Sequence, residues 1–213
     1  MPTLATYKIS TKGKNLHLRV VKGHFATSHS HMNYYVDVTA QKSRLSEAGA
    51  VAKELSSYYK KNTIVDTILC LDETQVIGTC MATELTSSEI MNMNAHQTIY
   101  IVTPEHTSGS QIIFRDGLAP MIQGKHVLIL AASVNTGYTA KAAIEAVRYY
   151  GGMVVGLASI FATADSCLDI PVHSAFNPKD LPDYLITPSH ECPMCKRGEK
   201  IDALVNSFGF SKL

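Results

Sequence analysis

The chain has 213 residues, a length that suits one compact core with a small appendage. Its residues are 46% hydrophobic and 17% charged, so it has enough apolar material for a buried core and lacks the composition of a disordered protein. The formal net charge of +1 gives no strong attraction to nucleic acid, and no uncharged segment is long and apolar enough to cross a bilayer. We therefore expect a globular protein with neither nucleic acid nor a membrane as partner.

The amino-terminal residues are basic, since the first acidic residue is Asp37 and several lysines and arginines precede it. Residues 16–21 alternate in the manner of a strand, which predicts a solvated hairpin or an edge strand rather than a helical targeting peptide. The chain contains five cysteines, an odd number, and no recognisable signal peptide. Both features favour a reducing, cytoplasmic location.

Apolar residues at helical spacing predict a helix over residues 46–59, and a β-branched run predicts a buried strand over residues 64–69. A second helix is expected after Gly78. The next strand is predicted over residues 98–102 and ends before Pro104.

The polar stretch over residues 103–124 is long for a compact domain. It is interpreted equally well as a mobile functional element or as a surface excursion with a short hairpin around residues 111–114. A strand over 127–130, a helix over 139–150 and a strand over 153–157 follow. Strands that are apolar on both faces and alternate with helices predict an α/β fold, doubly wound around a mainly parallel sheet.

The most informative segment runs from the strand that begins at His126 into a loop of small and hydroxylated residues, and then into a helix. This arrangement aims backbone amides at an anion, and open α/β sheets bind ligands at that end of their strands. Helix capping alone would explain the same residue types. We favour a phosphate site whose residues are Ser133, Asn135, Thr136, Gly137, Tyr138 and Thr139.

This segment resembles the phosphoribosyl pyrophosphate (PRPP) motif of type I phosphoribosyltransferases, and residues 23–186 are similar in order and spacing to orotate phosphoribosyltransferase. Residues 25–37 match its amino-terminal hood, residues 70–84 its pyrophosphate loop and helix, and residues 100–124 its mobile catalytic loop. The resemblance implies the type I fold with a small hood, PRPP bound with Mg²⁺, a role in pyrimidine nucleotide biosynthesis and a cytoplasmic homodimer. It also implies three segments: a hood over residues 1–45, a core over 46–187 and a tail over 188–213.

The sequence departs from the family pattern at positions that matter for catalysis. Two acidic residues of the family bind the ribose hydroxyls, and Ala131 and Ala132 stand in their place. In the pyrophosphate loop, Glu73, Thr74 and Gln75 are retained as candidate ligand contacts, but Val76 occupies the usual glycine position. The loop over residues 102–109 contains no lysine or arginine, and His106 is its single candidate cation.

These observations lead to two hypotheses. The chain is either a divergent transferase of pentosyl groups that binds PRPP or a nucleoside monophosphate, or a catalytically inactive nucleotide-binding or regulatory protein that retains the phosphate cradle. A transferase would need a substitute acid, for which Asp72, Glu73 and Asp165 are the candidates. A dinucleotide-binding domain is disfavoured because no GxGxxG motif follows a predicted strand.

Cys192 and Cys195 form a CxxC pair that supplies half of a tetrahedral zinc site, and His190 is a nearby third ligand. Two free thiols, a zinc site and a disulfide all remain open. His24, His29 and His31 cluster in the hood, where exposed histidines on a strand edge are favoured over a ligand pocket.

Overall fold

The protein is represented by a computed structural model that describes residues 6–10, 16–89, 91–107, 111–206 and 209–213. Its elements in the first half of the chain are β1 (Thr6–Ser10), β2 (His17–Ala26), β3 (Ser30–Asp37), α1 (Thr39–Ser43), α2 (Leu45–Ser56), β4 (Thr67–Cys70), α3 (Gln75–Leu85), β5 (Tyr100–Val102) and β6 (Glu105–His106). The second half contains β7 (Ile112–Ile113), β8 (His126–Val134), α4 (Tyr138–Tyr149), β9 (Met153–Ala162), β10 (Ser166–Cys167), β11 (Ile170–Phe176), β12 (Ile186–Pro188), α5 (Pro193–Lys196), β13 (Ala203–Asn206) and β14 (Gly209–Lys212).

The chain forms two compact units. The larger unit is residues 39–177, and the smaller unit joins residues 1–38 to residues 178–213. This division differs from the expected three segments, because the carboxyl-terminal residues share a sheet with the amino-terminal strands.

The larger unit is built on a sheet with the strand order β10-β11-β9-β8-β4-β5. Strands β11, β9, β8, β4 and β5 run parallel, and β10 is antiparallel to β11. Side chains Val127 and Ile129 of β8 pack in one cluster with Ile144 and Val147 of α4, whereas Leu128, between them, is fully buried outside that cluster. Alternating side chains of a strand point to opposite faces, so β8 is covered on both sides and the predicted α/β class is confirmed.

Helix α3 begins at Gln75, earlier than the expected start after Gly78. Gly78 lies inside the helix, where a Cβ atom would come within 2.5 Å of Cys70 Sγ on β4. The glycine is therefore required by close packing of α3 on the sheet and not by a helix start.

The segment between β5 and β8 contains the short surface hairpin that was one of the two expectations for it. β6 and β7 pair antiparallel, with Glu105 opposite Ile113 and His106 opposite Ile112. The hairpin lies slightly earlier in the chain than expected.

The smaller unit contains a sheet with the order β12-β3-β2-β13-β14, and β1 also pairs with β2. β2 has neighbours on both sides and its Leu18 and Val20 are fully buried, so the edge-strand alternative was wrong for β2. The antiparallel pairing of β1 with β2 agrees with the hairpin alternative, although β2 is not solvated. A separate small core is formed by Val21, Phe25, Met32 and Ala203. Among the described residues, no helix combines the length and apolar character that a bilayer span requires.

Candidate ligand site and metal centre

The predicted phosphate segment lies at the carboxyl end of β8, in the middle of the parallel sheet. β8 continues to Val134, so Ala131, Ala132 and Ser133 belong to the strand and not to the loop that the sequence suggested. Ala131 and Ala132 are buried, whereas Ser133 is exposed. The connection to α4 is therefore only the three residues 135–137.

Gly137 is the amino-terminal cap of α4 and has the left-handed backbone conformation, with φ of 76°. The cap residue is a glycine and has no side chain, so it does not bond to the helix as a Ser, Thr or Asn cap would. The first turn of a helix presents N–H groups that no helical carbonyl accepts, together with the positive end of the helix dipole. Thr136, Tyr138 and Thr139 are exposed around this end.

Thr163, just beyond β9, fixes the backbone of the connection. Its N–H donates to Val134 O at 2.9 Å, and its hydroxyl donates to Asn135 O at 2.8 Å. A backbone held in this way keeps its amides in one orientation, which reduces the ordering cost when a ligand binds.

The loop after β4 adopts an unusual conformation. Asp72 and Glu73 are consecutive residues with positive φ values of 51° and 62°, a region that residues other than glycine rarely occupy. Strain of this kind is concentrated at functional sites. Thr74 is fully buried and its hydroxyl donates to Leu71 O at 2.7 Å, so its side chain stabilises the turn and is not exposed to a ligand. Gln75, the first residue of α3, is half-buried.

The Asp72 carboxylate lies beside Ala132, one of the two positions at which the sequence resemblance predicts an acidic residue. Asp72 Oδ2 accepts a hydrogen bond from the Ala132 N–H at 3.3 Å. Burial raises the pKa of this carboxyl above its ordinary value, and the Ala132 N–H, Lys42 and His106 oppose the increase. The loop after β4 thus places an acid beside the carboxyl end of β8, which carries no acid of its own.

Lys42 of α1 supplies a cation to the loop after β4. Its ammonium donates to Asp72 O at 3.0 Å and to Glu73 Oε2 at 3.3 Å, and only 11% of its side chain is exposed. Lys42 could not be recognised from the sequence, because it is 30 positions from Asp72 and no local motif connects the two.

The hairpin of β6 and β7 carries His106, which is exposed. Arg115 follows β7 and binds Glu105 through two hydrogen bonds of 2.6 and 2.7 Å. Arg115 therefore brings positive charge next to residues 102–109, which contain no lysine or arginine. Glu105 already neutralises that charge. Ser108 and Gly109 lie outside the described residues.

A second candidate site lies within the smaller unit. Ligand atoms of His24, His31, Cys192 and Cys195 all lie within 4.8 Å of one another. His24 Nε2 is 3.1 Å from His31 Nδ1, 3.5 Å from Cys192 Sγ and 3.7 Å from Cys195 Sγ. His31 Nδ1 is 3.2 Å from Cys195 Sγ. The CxxC pair thus belongs to a group with two imidazoles.

This group corrects two expectations about the histidines. His190 is not a member of it, being exposed and 3.3 Å from the carboxylate of its neighbour Glu191. His24 and His31 are buried, at 2% and 8% exposure, and only His29 is exposed as expected. None of the five cysteines is in a disulfide.

No family model matches the chain, but solved phosphoribosyltransferases are similar to it. Orotate phosphoribosyltransferase of Mycobacterium tuberculosis in complex with Fe(III) dicitrate is 14% identical, with a TM-score of 0.52, over 84% of this chain and 93% of that one. Its complex with PRPP gives 17% identity and a TM-score of 0.50 over 69% and 82% of the two chains. Adenine phosphoribosyltransferase of Thermoanaerobacter pseudethanolicus gives 14% and 0.51 over 68% and 88%.

Structural similarity at such low sequence identity establishes the fold only. The ligand and the reaction must be inferred from the chemistry of this chain's own residues. The predicted resemblance is thereby confirmed at the level of the fold. The chain has the type I phosphoribosyltransferase fold.

Proposed function

We propose that this protein binds a phosphorylated ribose compound, PRPP or a nucleoside monophosphate, at the carboxyl edge of its parallel sheet. The observation that carries the proposal is the connection from β8 to α4, where left-handed Gly137 and the bonds from Thr163 hold the first turn of α4 open to an anion. The 5-phosphate would be bound by the amides of residues 135–139, with the hydroxyls of Thr136 and Thr139 as additional donors. Ser133 would contact the ligand from the end of the strand.

The ribose would be recognised by Asp72 in this proposal. A carboxylate accepts hydrogen bonds from paired hydroxyls, and charge-assisted bonds of this kind contribute about 1.5–3 kcal/mol each. Asp72 reaches the backbone at Ala132, so it is positioned where the strand no longer supplies an acid. Glu73 and Gln75 would contact a pyrophosphate group from the same loop.

The donor set also suits the Mg²⁺ that accompanies PRPP. Magnesium prefers carboxylate and phosphate oxygens, and Asp72 and Glu73 supply carboxylates beside the proposed ligand. The ion would neutralise charge on a departing pyrophosphate. Lys42 and His106 would add positive charge on the protein side.

Transfer of the ribosyl group, in orotate or related pyrimidine chemistry, remains part of the proposal. A catalytically inactive nucleotide-binding protein is the second candidate, and it is favoured by one observation. Near its carboxyl end β8 carries buried Ala131 and Ala132, so one carboxylate of Asp72 would have to serve where the family uses two.

We also propose a cytoplasmic homodimer. No disulfide joins any of the five cysteines, which agrees with a reducing compartment. Exposed apolar side chains lie on the edge strand β5 and in the segment before it, and these residues are Tyr100, Ile101, Met91 and Met93. Light scattering coupled to gel filtration would measure the mass, and Ile101→Lys would weaken a dimer that uses this edge.

The binding proposal is tested by calorimetry with PRPP and with a nucleoside monophosphate, each with and without Mg²⁺. The double variant Thr136→Ala/Thr139→Ala should lose most of the affinity for both ligands. Thr83→Ala, an exposed threonine of α3, is the matched control and should bind as the wild type does. Unchanged affinity in the double variant would remove the two hydroxyls from the proposal.

A pyrophosphate-release assay on any ligand that binds separates the two candidate functions. Release that depends on Mg²⁺ and on Asp72 identifies a transferase. Binding of nucleotides without turnover identifies the inactive protein.

A further inference from the structure

We propose that His24, His31, Cys192 and Cys195 form a structural zinc site that fastens the carboxyl-terminal segment to the β2–β3 hairpin. The four residues come from two distant parts of the sequence but from one compact unit. Two thiolates and two imidazoles are the donors that Zn²⁺ prefers in closed, four-coordinate sites.

The distances between ligand atoms agree with the edges of a zinc tetrahedron. With Zn–S near 2.3 Å and Zn–N near 2.0 Å, S···N edges are roughly 3.5 Å and N···N edges roughly 3.3 Å. The measured S···N distances of 3.2, 3.5 and 3.7 Å and the N···N distance of 3.1 Å fall around these values. The two remaining edges are bounded by the 4.8 Å within which the ligand atoms of all four residues lie.

The orientation of His24 is fixed in the way that metal-binding histidines commonly are. Its Nδ1 faces the carbonyl oxygens of Glu199 and Lys200 at 3.1 and 3.2 Å, and a carbonyl only accepts. Nδ1 therefore carries the hydrogen, which leaves the lone pair of Nε2 directed at the other three ligand atoms. Such a bond from the far nitrogen to a carbonyl is the usual support of a zinc-bound imidazole.

The backbone on both sides is shaped to present these ligands. The register of β2 against β3 shifts between Lys22 and Phe25, and a bulge of this kind redirects a side chain, here that of His24. The His24 N–H donates to Asp202 Oδ2 at 2.7 Å, which secures the bulge. On the other side, α5 is a single turn that has Cys192 as its N-cap and contains Cys195, and left-handed Gly198 follows it with an N–H bond to Cys195 O.

Burial supports a metal rather than a set of unrelated side chains. His24, His31 and Cys192 are almost fully buried, and only Cys195 is exposed. Four ligands from the protein leave no position for a substrate, so the site is assigned to stability and not to catalysis. It does not depend on the proposed ligand site, which lies in the other unit.

Metal analysis of the full-length protein, purified without a metal-affinity tag and dialysed against buffer, tests this assignment. We expect close to one zinc per chain by plasma mass spectrometry. Cys195→Ser, the substitution least damaging to the core, should weaken zinc binding by more than about 100-fold in competition with a chromogenic chelator. Cys167→Ser and His190→Ala are matched controls that should keep the metal.

The visible spectrum of the wild-type protein with Co²⁺ in place of Zn²⁺ identifies the type of ligands, and this measurement does not require a variant to fold. Two thiolates in a tetrahedral site should give an intense visible d–d spectrum and sulfur-to-cobalt charge-transfer bands, which weaken in Cys195→Ser and persist in His190→Ala. An octahedral spectrum, a spectrum lost in His190→Ala, or wild-type protein that binds neither Zn²⁺ nor Co²⁺ would overturn the proposal. In the last case the four side chains would form a hydrogen-bonded cluster only.

Discussion

The two candidate sites are built on opposite principles. The β8–α4 connection is a continuous stretch of chain whose useful groups are mainly backbone amides, held by Gly137 and by bonds from Thr163. The group at His24 and Cys192 is made of side chains from segments about 170 residues apart, and each contributes one ligand atom. The first site should therefore be sensitive to changes in backbone conformation, and the second to the loss of any single side chain.

The largest expected effect is on the second site, where removal of metal should destabilise the protein. A ligand present at 100 times its dissociation constant stabilises the folded state by about 2.7 kcal/mol, so a strong chelator should lower the melting temperature by roughly 5–10 °C. Differential scanning calorimetry measures this shift. In Cys195→Ser the chelator should have little further effect, and an equal shift in both proteins would place the metal elsewhere.

The first site is tested by a change that adds only one methyl group. Gly137→Ala places a Cβ atom at φ of 76°, which costs about 1–2 kcal/mol while leaving all polar side chains intact. PRPP affinity should fall roughly tenfold by calorimetry because the connection relaxes away from its binding conformation. Gly49→Ala, in α2 with no atom within 4 Å of the new Cβ, is the control and should keep full affinity.

Asp72 links stability and binding in opposite directions. Its pKa is raised on folding, so the folded protein binds more protons than the unfolded chain between the ordinary pKa near 3.8 and the raised value. Stability from this group is greatest at low pH and declines as the pH rises through that window. Asp72→Asn should remove the decline, which urea titrations at several pH values measure, and should weaken binding of PRPP at neutral pH. Parallel pH profiles for both proteins would exclude this role for the carboxyl.

The smallest effect concerns the cation at the loop after β4. Lys42→Gln should cost about 1 kcal/mol of stability or less, because Glu73 is largely exposed although the lysine is not. Arg44→Gln, which breaks a 3.9 Å contact between the exposed Arg44 and Glu47, should change stability by less still. Urea unfolding of the pair measures the difference. Equal losses would mean that Lys42 is an ordinary surface charge.

The same contrast explains what the sequence could predict. The parallel sheet and the β8–α4 connection follow from contiguous patterns, namely apolar runs that alternate with helices and a polar loop around Gly137. The predicted end of β8 was less accurate, because Ala131, Ala132 and Ser133 are small residues that fit a strand as well as a loop.

Contacts between distant residues were out of reach of these patterns. Nothing near Cys192 indicates which of nine histidines lies beside it, and the sequence neighbour His190 was the natural but incorrect choice. Asp72 was named as a substitute acid on chemical grounds, whereas its bond to Ala132 depends on how β4 and β8 are aligned. No local sequence pattern indicated that Lys42 would contact the loop after β4.

The central claim is that a phosphorylated ribose binds at the β8–α4 connection, and amide chemical shifts test it most directly. Ribose 5-phosphate and then PRPP with Mg²⁺ would be titrated into ¹⁵N-labelled protein. The account predicts that the largest, saturable shifts are those of residues 135–139, with Asp72 and Glu73 responding to PRPP. Saturable shifts confined to other residues, or none at millimolar ligand, would contradict it.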